Sequence, residues 1–179
     1  MRIVSWNVNG LRACAKKGFL QVLQRHKIDV MALQEVRAFP EQLPNNVLRP
    51  RGWHAHFAPA KRPGYSGVAI YSRVPPSRIE SSLGESRFDD EGRFLLAQFG
   101  RLTVVSAYFP KGSGKDRDNS RVPYKMDFYR AVLSESSRSV KLGRYLCWVI
   151  TTQRIIPSIW RGPSQMLRPV GFCPKSVKN

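Results

Sequence analysis

Two short runs hold the residues with the most chemistry to offer. Met1-Arg-Ile-Val-Ser-Trp-Asn-Val-Asn9 and Ala32-Leu-Gln-Glu35 are apolar stretches, the first rich in β-branched residues, and each ends in polar side chains able to bind a metal. In an α/β sheet such strand ends converge at one rim, where ligands sit. An amide at Asn7 and a carboxylate at Glu35 meeting there make half of a hard-cation site suited to Mg²⁺. Taken alone, Glu35 reads as a strand-end carboxylate in an ordinary salt bridge, and Asn7 as an amide capping the turn after a strand. The rest of such a site, and a general base, belong further along the chain. Yet no Asp follows Asp127 and no His follows His56.

The elements that must position these groups are legible in outline. Arg2–Trp6 and Ile28–Gln34 read as buried strands, with an amphipathic helix over Lys16–Lys27 carried by Phe19, Leu20, Val22 and Leu23. Pro40 after Phe39 suits the first turn of a short helix. Trp53–Phe57, Gly67–Ser72, Phe94–Phe99 and Leu102–Tyr108 are strand candidates, the last two joined by a tight hairpin at Gly100-Arg101. Val122–Leu133 reads as a helix with Pro123 in its first turn. Lys111–Lys115 lacks the spacing of a phosphate-binding P-loop, and His54 and His56, on one face of a strand, read as structural. After Leu133 the apolar periodicity stops, and only Arg144–Thr151 could pair as a strand.

The chain has 179 residues, a length suited to one domain, and a net charge of +18. That charge calls for a polyanionic partner, nucleic acid first and an anionic membrane surface second. Residues 134–179 contain eight Lys and Arg but one acid, Glu135. Cys14, Cys147 and Cys173 are odd in number and far apart, which speaks against a disulfide framework. With neither a signal peptide nor a membrane-length apolar run, a cytoplasmic protein is expected.

Residues 1–133 resemble the first half of the exonuclease III / apurinic-apyrimidinic endonuclease family, within the DNase I-like phosphodiesterases. The matching stretches are Trp6-Asn-Val-Asn-Gly-Leu-Arg-Ala13, Ala32-Leu-Gln-Glu35, Gly64-Tyr-Ser-Gly-Val-Ala-Ile-Tyr-Ser72, Glu91-Gly-Arg93, Ala107-Tyr-Phe-Pro110 and Tyr124-Lys-Met-Asp-Phe-Tyr129. Six weak motifs in the right order make a strong one. The resemblance implies an α/β four-layer sandwich, two sheets face to face with helices outside. It implies Glu35 and Asn7 as ligands of Mg²⁺ or Mn²⁺, with relatives carrying Asp where Asn9 stands here. Tyr108 is implied at the scissile phosphate, its alternative being a packed strand-end aromatic. Arg12, Lys17, Tyr65 and Arg93 are implied as contacts to DNA, positions that a solvated surface charge would fill equally well. The implied partner of the intact, monomeric protein is double-stranded DNA with abasic sites or 3′ ends.

The family's second half carries a Gly-Asp-x-Asn strand end, further carboxylates and an Asp-His pair, none of which occurs here. The tail offers an explanation. With permitted codons, Trp148–Ser164 read one nucleotide earlier becomes Leu-Gly-Asp-Tyr-Asn-Thr-Ala-His-His-Pro-Ile-Asp-Leu-Ala-Arg-Pro-Lys. In the same register Leu133-Ser-Glu-Ser-Ser becomes Leu-Glu-Arg-Val-Gln. One G lost after the Leu133 codon, in the gene or in the reported sequence, would account for both. Residues 134–179 are accordingly expected to be a frameshifted, non-native tail ending at an out-of-frame stop, the alternative being a natural divergent tail. The chain as written is then expected to hold most of one sheet with its inner face bare, to be prone to aggregation and to be inactive. Three functions follow in order: a metal-dependent DNA repair phosphodiesterase, a phosphodiesterase of the same superfamily acting on a lipid or inositol phosphate, and a non-enzymatic basic DNA-binding fragment.

Overall fold

The computed structural model describes residues 1–25, 27–114, 118–141, 145–151 and 159–160. The elements run β1 (Ile3–Asn7), α1 (Leu11–Lys16), α2 (Phe19–Arg25), β2 (Val30–Gln34), a 3₁₀ turn at Pro40–Gln42, α3 (Asn45–Leu48), β3 (His54–Ala58), β4 (Val68–Ser72), β5 (Arg78–Glu80), α4 (Ser86–Asp89), β6 (Phe94–Phe99), β7 (Leu102–Tyr108), α5 (Val122–Lys141), β8 (Tyr145–Thr151) and β9 (Ile159–Trp160). Two sheets form, ordered β3-β4-β2-β1-β9 and β5-β6-β7-β8. The central pair β1 and β2 is parallel, with Asn7 opposite Gln34, and β7 and β8 are parallel in the other sheet. Among the described residues no helix is long and apolar enough to cross a membrane.

Strand residues alternate between two apolar surroundings, because both faces of each sheet are covered. On the inner faces, Ile3, Val30, Ala32, Val68 and Ile70 of the first sheet meet Leu95, Ala97 and Val104 of the second. On the first sheet's outer face, Val4, Met31, Leu33, Ala69 and Tyr71 pack with Leu11, Phe19 and Leu23 of α1 and α2. On the second sheet's outer face, Phe94, Leu96, Val105 and Ala107 pack against Phe128 and Val132 of α5. The result is helix, sheet, sheet, helix: the four-layer sandwich expected.

The bare inner face is not found. Strands β5–β8 form a second sheet of their own and cover the first, so Val30, Ala32 and Ile70 are fully buried. The expected basis for aggregation goes with it. Two boundaries also move. Gly18, with φ +102, makes the expected helix start only at Phe19, since its left-handed backbone cannot continue a helical turn. A helix that the sequence reading did not expect, α1, precedes it over Leu11–Lys16. Beyond Leu133, α5 continues to Lys141. There Ser136 is buried, one turn beyond Val132, and its hydroxyl donates back to the Val132 carbonyl at 2.8 Å.

Candidate active site at the shared rim of the sheets

The C-terminal ends of β1, β2 and β7 lie at the same rim, so the inner-face side chains there look at one another. The parallel register brings Asn7 beside Gln34, and Glu35 follows at once. Among the described residues, three of the four non-glycine positions with positive φ are Asn9 (+46), Glu35 (+54) and Arg37 (+51), all at these strand ends. Side chains rarely hold that conformation, and it costs on the order of 1 kcal/mol or more per residue; such clusters mark functional turns. Backbone bonds hold it in place: Gly10 N–H to the Glu35 carbonyl at 2.7 Å, Val36 N–H to the Gly67 carbonyl at 3.0 Å, and Arg37 N–H to the Ser66 carbonyl at 2.8 Å.

The Glu35 carboxylate is buried. Asn7 Nδ2 donates to its Oε1 at 2.8 Å and Arg37 Nη2 to its Oε2 at 2.5 Å. Burial works to raise its pKa, but hydrogen bonds from Asn7 and Tyr108 and the Arg37 charge outweigh that, and the net shift is downward. Glu35 is therefore ionised at neutral pH. Asn7 is fixed in turn by its Oδ1, which accepts from Asn9 N–H at 3.1 Å. Burial, with the Glu35 charge beside it, pushes the Tyr108 hydroxyl up to about 12. It keeps its proton and serves as a donor.

A second network props this one. Arg93 is 4% exposed and its guanidinium turns inward, to the Glu91 carboxylate, the Tyr108 carbonyl at 3.1 Å and the Tyr65 hydroxyl at 2.6 Å. It lies between the rings of Tyr65 and Tyr108, 5.3 and 4.9 Å from their centroids. Arg121 holds the other Glu91 oxygen at 3.1 Å. Burial raises the Glu91 pKa, yet the two arginines prevail and lower it. Next to it Gly92, at φ +55, leaves no room for a side chain: a Cβ there would stand 2.5 Å from Ala60 N and 2.6 Å from Ala58 O. Behind the rim a polar chain crosses the apolar layer between the sheets. Ser5 Oγ donates to Gln34 Oε1 at 3.4 Å, Gln34 Nε2 to Ser106 Oγ at 3.1 Å, and Ser106 Oγ to the Leu33 carbonyl at 3.1 Å.

The structure thus gathers Asn7, Glu35 and Tyr108 into one cluster, with Tyr65 joined to it through Arg93. Arg93 acts as a brace for both tyrosines, with its donors directed inward. Arg12 is exposed in the first turn of α1, and Lys17 is exposed at that helix's C-cap. The sequence reading passed over Arg37 and Glu91. Each stands two residues from a named position, in Glu35-Val-Arg37 and Glu91-Gly-Arg93, and that spacing was the available signal.

Hard oxygen donors from Glu35 and Asn7 fit a Mg²⁺-type ion in kind, for such an ion keeps several waters and needs only one or two carboxylates. Among the described residues no three of His, Cys, Asp and Glu gather to hold a metal.

Comparison with known proteins places this rim in a family. An exodeoxyribonuclease of Bacillus subtilis is 34% identical over 135 residues, which is 75% of this chain and 51% of that protein. The DNA repair nuclease APEX1 of Danio rerio is 35% identical over 131 residues, 72% of this chain and 42% of that protein. The solved structure of the 3′ phosphatase NExo from Neisseria, bound to product DNA hairpin, superposes with a TM-score of 0.68 at 27% identity, covering 84% of this chain and 56% of that one. The chain spans about half the length of the curated relatives it matches. The model of the Endonuclease/Exonuclease/phosphatase family matches residues 4–158, a stretch that takes in Asn7, Glu35, Arg93 and Tyr108, and this chain belongs to that family.

Proposed function

We propose that the gene encodes a divalent-metal-dependent DNA phosphodiesterase that incises 5′ to abasic sites and works on 3′ ends. The observation that carries this reading is the convergence of an ionised Glu35, Asn7 and a protonated Tyr108 where the two sheets share a rim. Glu35 and Asn7 would hold the metal, which when bound would neutralise charge on the scissile phosphate and on the leaving oxygen. Tyr108 donates a hydrogen bond to a phosphate oxygen as charge builds there. Arg12, Lys17 and Tyr65 hold the DNA backbone, and the chain's charge of +18 draws it in. The protein acts in the cytoplasm as a monomer.

The same proposal includes the reading frame. With one G restored after the Leu133 codon, position 136 becomes valine, an apolar residue where Ser136 now sits buried below Phe128 and Val132. Position 150 becomes the aspartate of Gly-Asp-x-Asn. That position lies opposite Ala107 in the β7–β8 register, one residue before the pair made by Tyr108 and so near the C-terminal end of the strand. The buried position 136 and the motif recovered from 148–152 in the restored frame are what support a frameshifted tail over 134–179.

The test is to insert that G and assay both proteins on a duplex with one abasic site. The restored protein is expected to cleave it in Mg²⁺ and to lose at least a thousandfold on Glu35→Gln, while the 179-residue chain is inert. Turnover by the 179-residue chain that Glu35→Gln abolishes would refute the frame assignment. Preference of the restored protein for an inositol phosphate would refute the substrate.

A further inference from the structure

Both oxygens of the Glu35 carboxylate carry a protein donor, and the two donors differ in kind. Asn7 is buried and pinned through its own Oδ1 to Asn9 N–H. Arg37 has 44% of its side chain exposed, against 10% for Glu35. Tyr108, the third group facing the carboxylate, is buried too. Among the described residues, the open side of Glu35 is therefore the side on which the guanidinium lies. The Arg37 backbone is held at φ +51 by its bond to the Ser66 carbonyl, so only the side chain is at liberty to move.

From this we propose that Arg37 is an internal cation occupying the metal subsite, so that a divalent ion reaches Glu35 only by displacing the Arg37 guanidinium. The inference rests on the reading of Glu35 and Asn7 as metal residues. A guanidinium and a dication compete for the same oxygen: Mg²⁺ takes a carboxylate oxygen at about 2.0–2.1 Å, and a second cation on Oε2 would face it at close range. In the metal-free protein the arginine helps hold the carboxylate in place, with Asn7 on its other oxygen. Displacement then exchanges one cation for another without stranding a buried charge.

Mn²⁺ binding to the purified 179-residue chain, measured by calorimetry, tests this. Arg37→Gln is expected to bind Mn²⁺ roughly fivefold more tightly, the equivalent of about 1 kcal/mol for a half-exposed ion pair. Lys16→Gln removes one positive charge from the exposed side of α1 without touching Glu35, and its affinity is expected to stay within about twofold of the parent. Arg37→Asn, suited to a positive φ, keeps the test open if the glutamine variant does not fold. A second readout is the Arg37 guanidinium resonance in a ¹⁵N spectrum, assigned by its loss in Arg37→Gln, which is expected to move to a solvent-exposed position on adding Mg²⁺. Equal affinities for the parent and both Arg37 variants, or an equal gain in Lys16→Gln, overturn the role of Arg37. If Glu35→Gln still abolishes binding in that case, the metal reading stands. Binding that Glu35→Gln leaves undiminished, or no binding by any of them, overturns both.

Discussion

Arg93→Met is the sharpest perturbation of the candidate site's support. Methionine keeps most of the stem and removes a guanidinium that is 4% exposed. Three interactions go with it: the ion pair to Glu91, the hydrogen bond to the Tyr108 carbonyl and that to the Tyr65 hydroxyl. Breaking a buried pair from one side costs roughly 3–5 kcal/mol, since the other charge is left behind. Here Glu91 keeps Arg121 at 3.1 Å and has 22% of its side chain exposed, which moves the cost to the low end. The lost bond to the buried Tyr108 carbonyl adds on the order of 1 kcal/mol. A loss of about 3 kcal/mol is expected, a large part of the ~5–15 kcal/mol that holds a domain folded. Urea unfolding followed by tryptophan fluorescence would show it as a midpoint lowered by about 1.5 M, for a slope of ~2 kcal/mol/M. Pairing Arg93→Met with Glu91→Gln removes both charges, and the double variant is expected to recover about 2 kcal/mol relative to the sum of the singles. A loss below about 1 kcal/mol for Arg93→Met, or singles that simply add, would refute the buried-brace reasoning.

Other outcomes follow from the same geometry. Gly92→Ala forces a Cβ against the backbone of Ala58 and Ala60 at φ +55, and a loss of at least about 2–3 kcal/mol is expected in the same unfolding assay. Glu91 has a lowered folded-state pKa, so its contribution is fully present above its unfolded value and fades as pH falls through the lower folded one. Unfolding measured from neutral pH down through the carboxylate range is expected to show stability falling with acid, with a shallower fall in Glu91→Gln. Arg12→Gln and Lys17→Gln are each expected to weaken DNA binding at every sequence alike and to lower the salt slope by about 1, read by fluorescence anisotropy across a salt series.

Core strands were legible because their apolar residues occupy both faces: β1, β2, β4, β6 and β7 fall within a residue or two of where the pattern places them. The same property hid their division into two sheets. A strand apolar on both sides says that it is covered twice, and does not say by which neighbour. Strand β5, with one apolar residue in Arg78-Ile-Glu80, and the four-residue α4 are too short for any period to register. At the site, Asn7, Glu35 and Tyr108 were visible as strand ends. Arg37 was not, because its aim depends on left-handed turns at Glu35 and at its own position that nothing in Glu35-Val-Arg37 declares. Glu91 was passed over for a related reason. Its partner Arg93 turns inward only because β6 begins beside the end of β7, where Tyr108 N–H donates to the Arg93 carbonyl at 2.8 Å.

An apolar layer between two sheets is slippery: hydrophobic contact has no direction, and one face can glide over the other with little change in buried area. The Ser5–Gln34–Ser106 chain works there as a dowel. Gln34 immediately precedes Glu35, and Ser106 stands two residues before Tyr108. A slip of one residue along a strand, about 3.3 Å, would carry Tyr108 out of reach of Glu35 and leave polar groups without partners in a dry layer. The span between carboxylate and hydroxyl is thus gauged from inside the core. Loops around the rim can lengthen, shorten or change composition, and the working gap stays the same width.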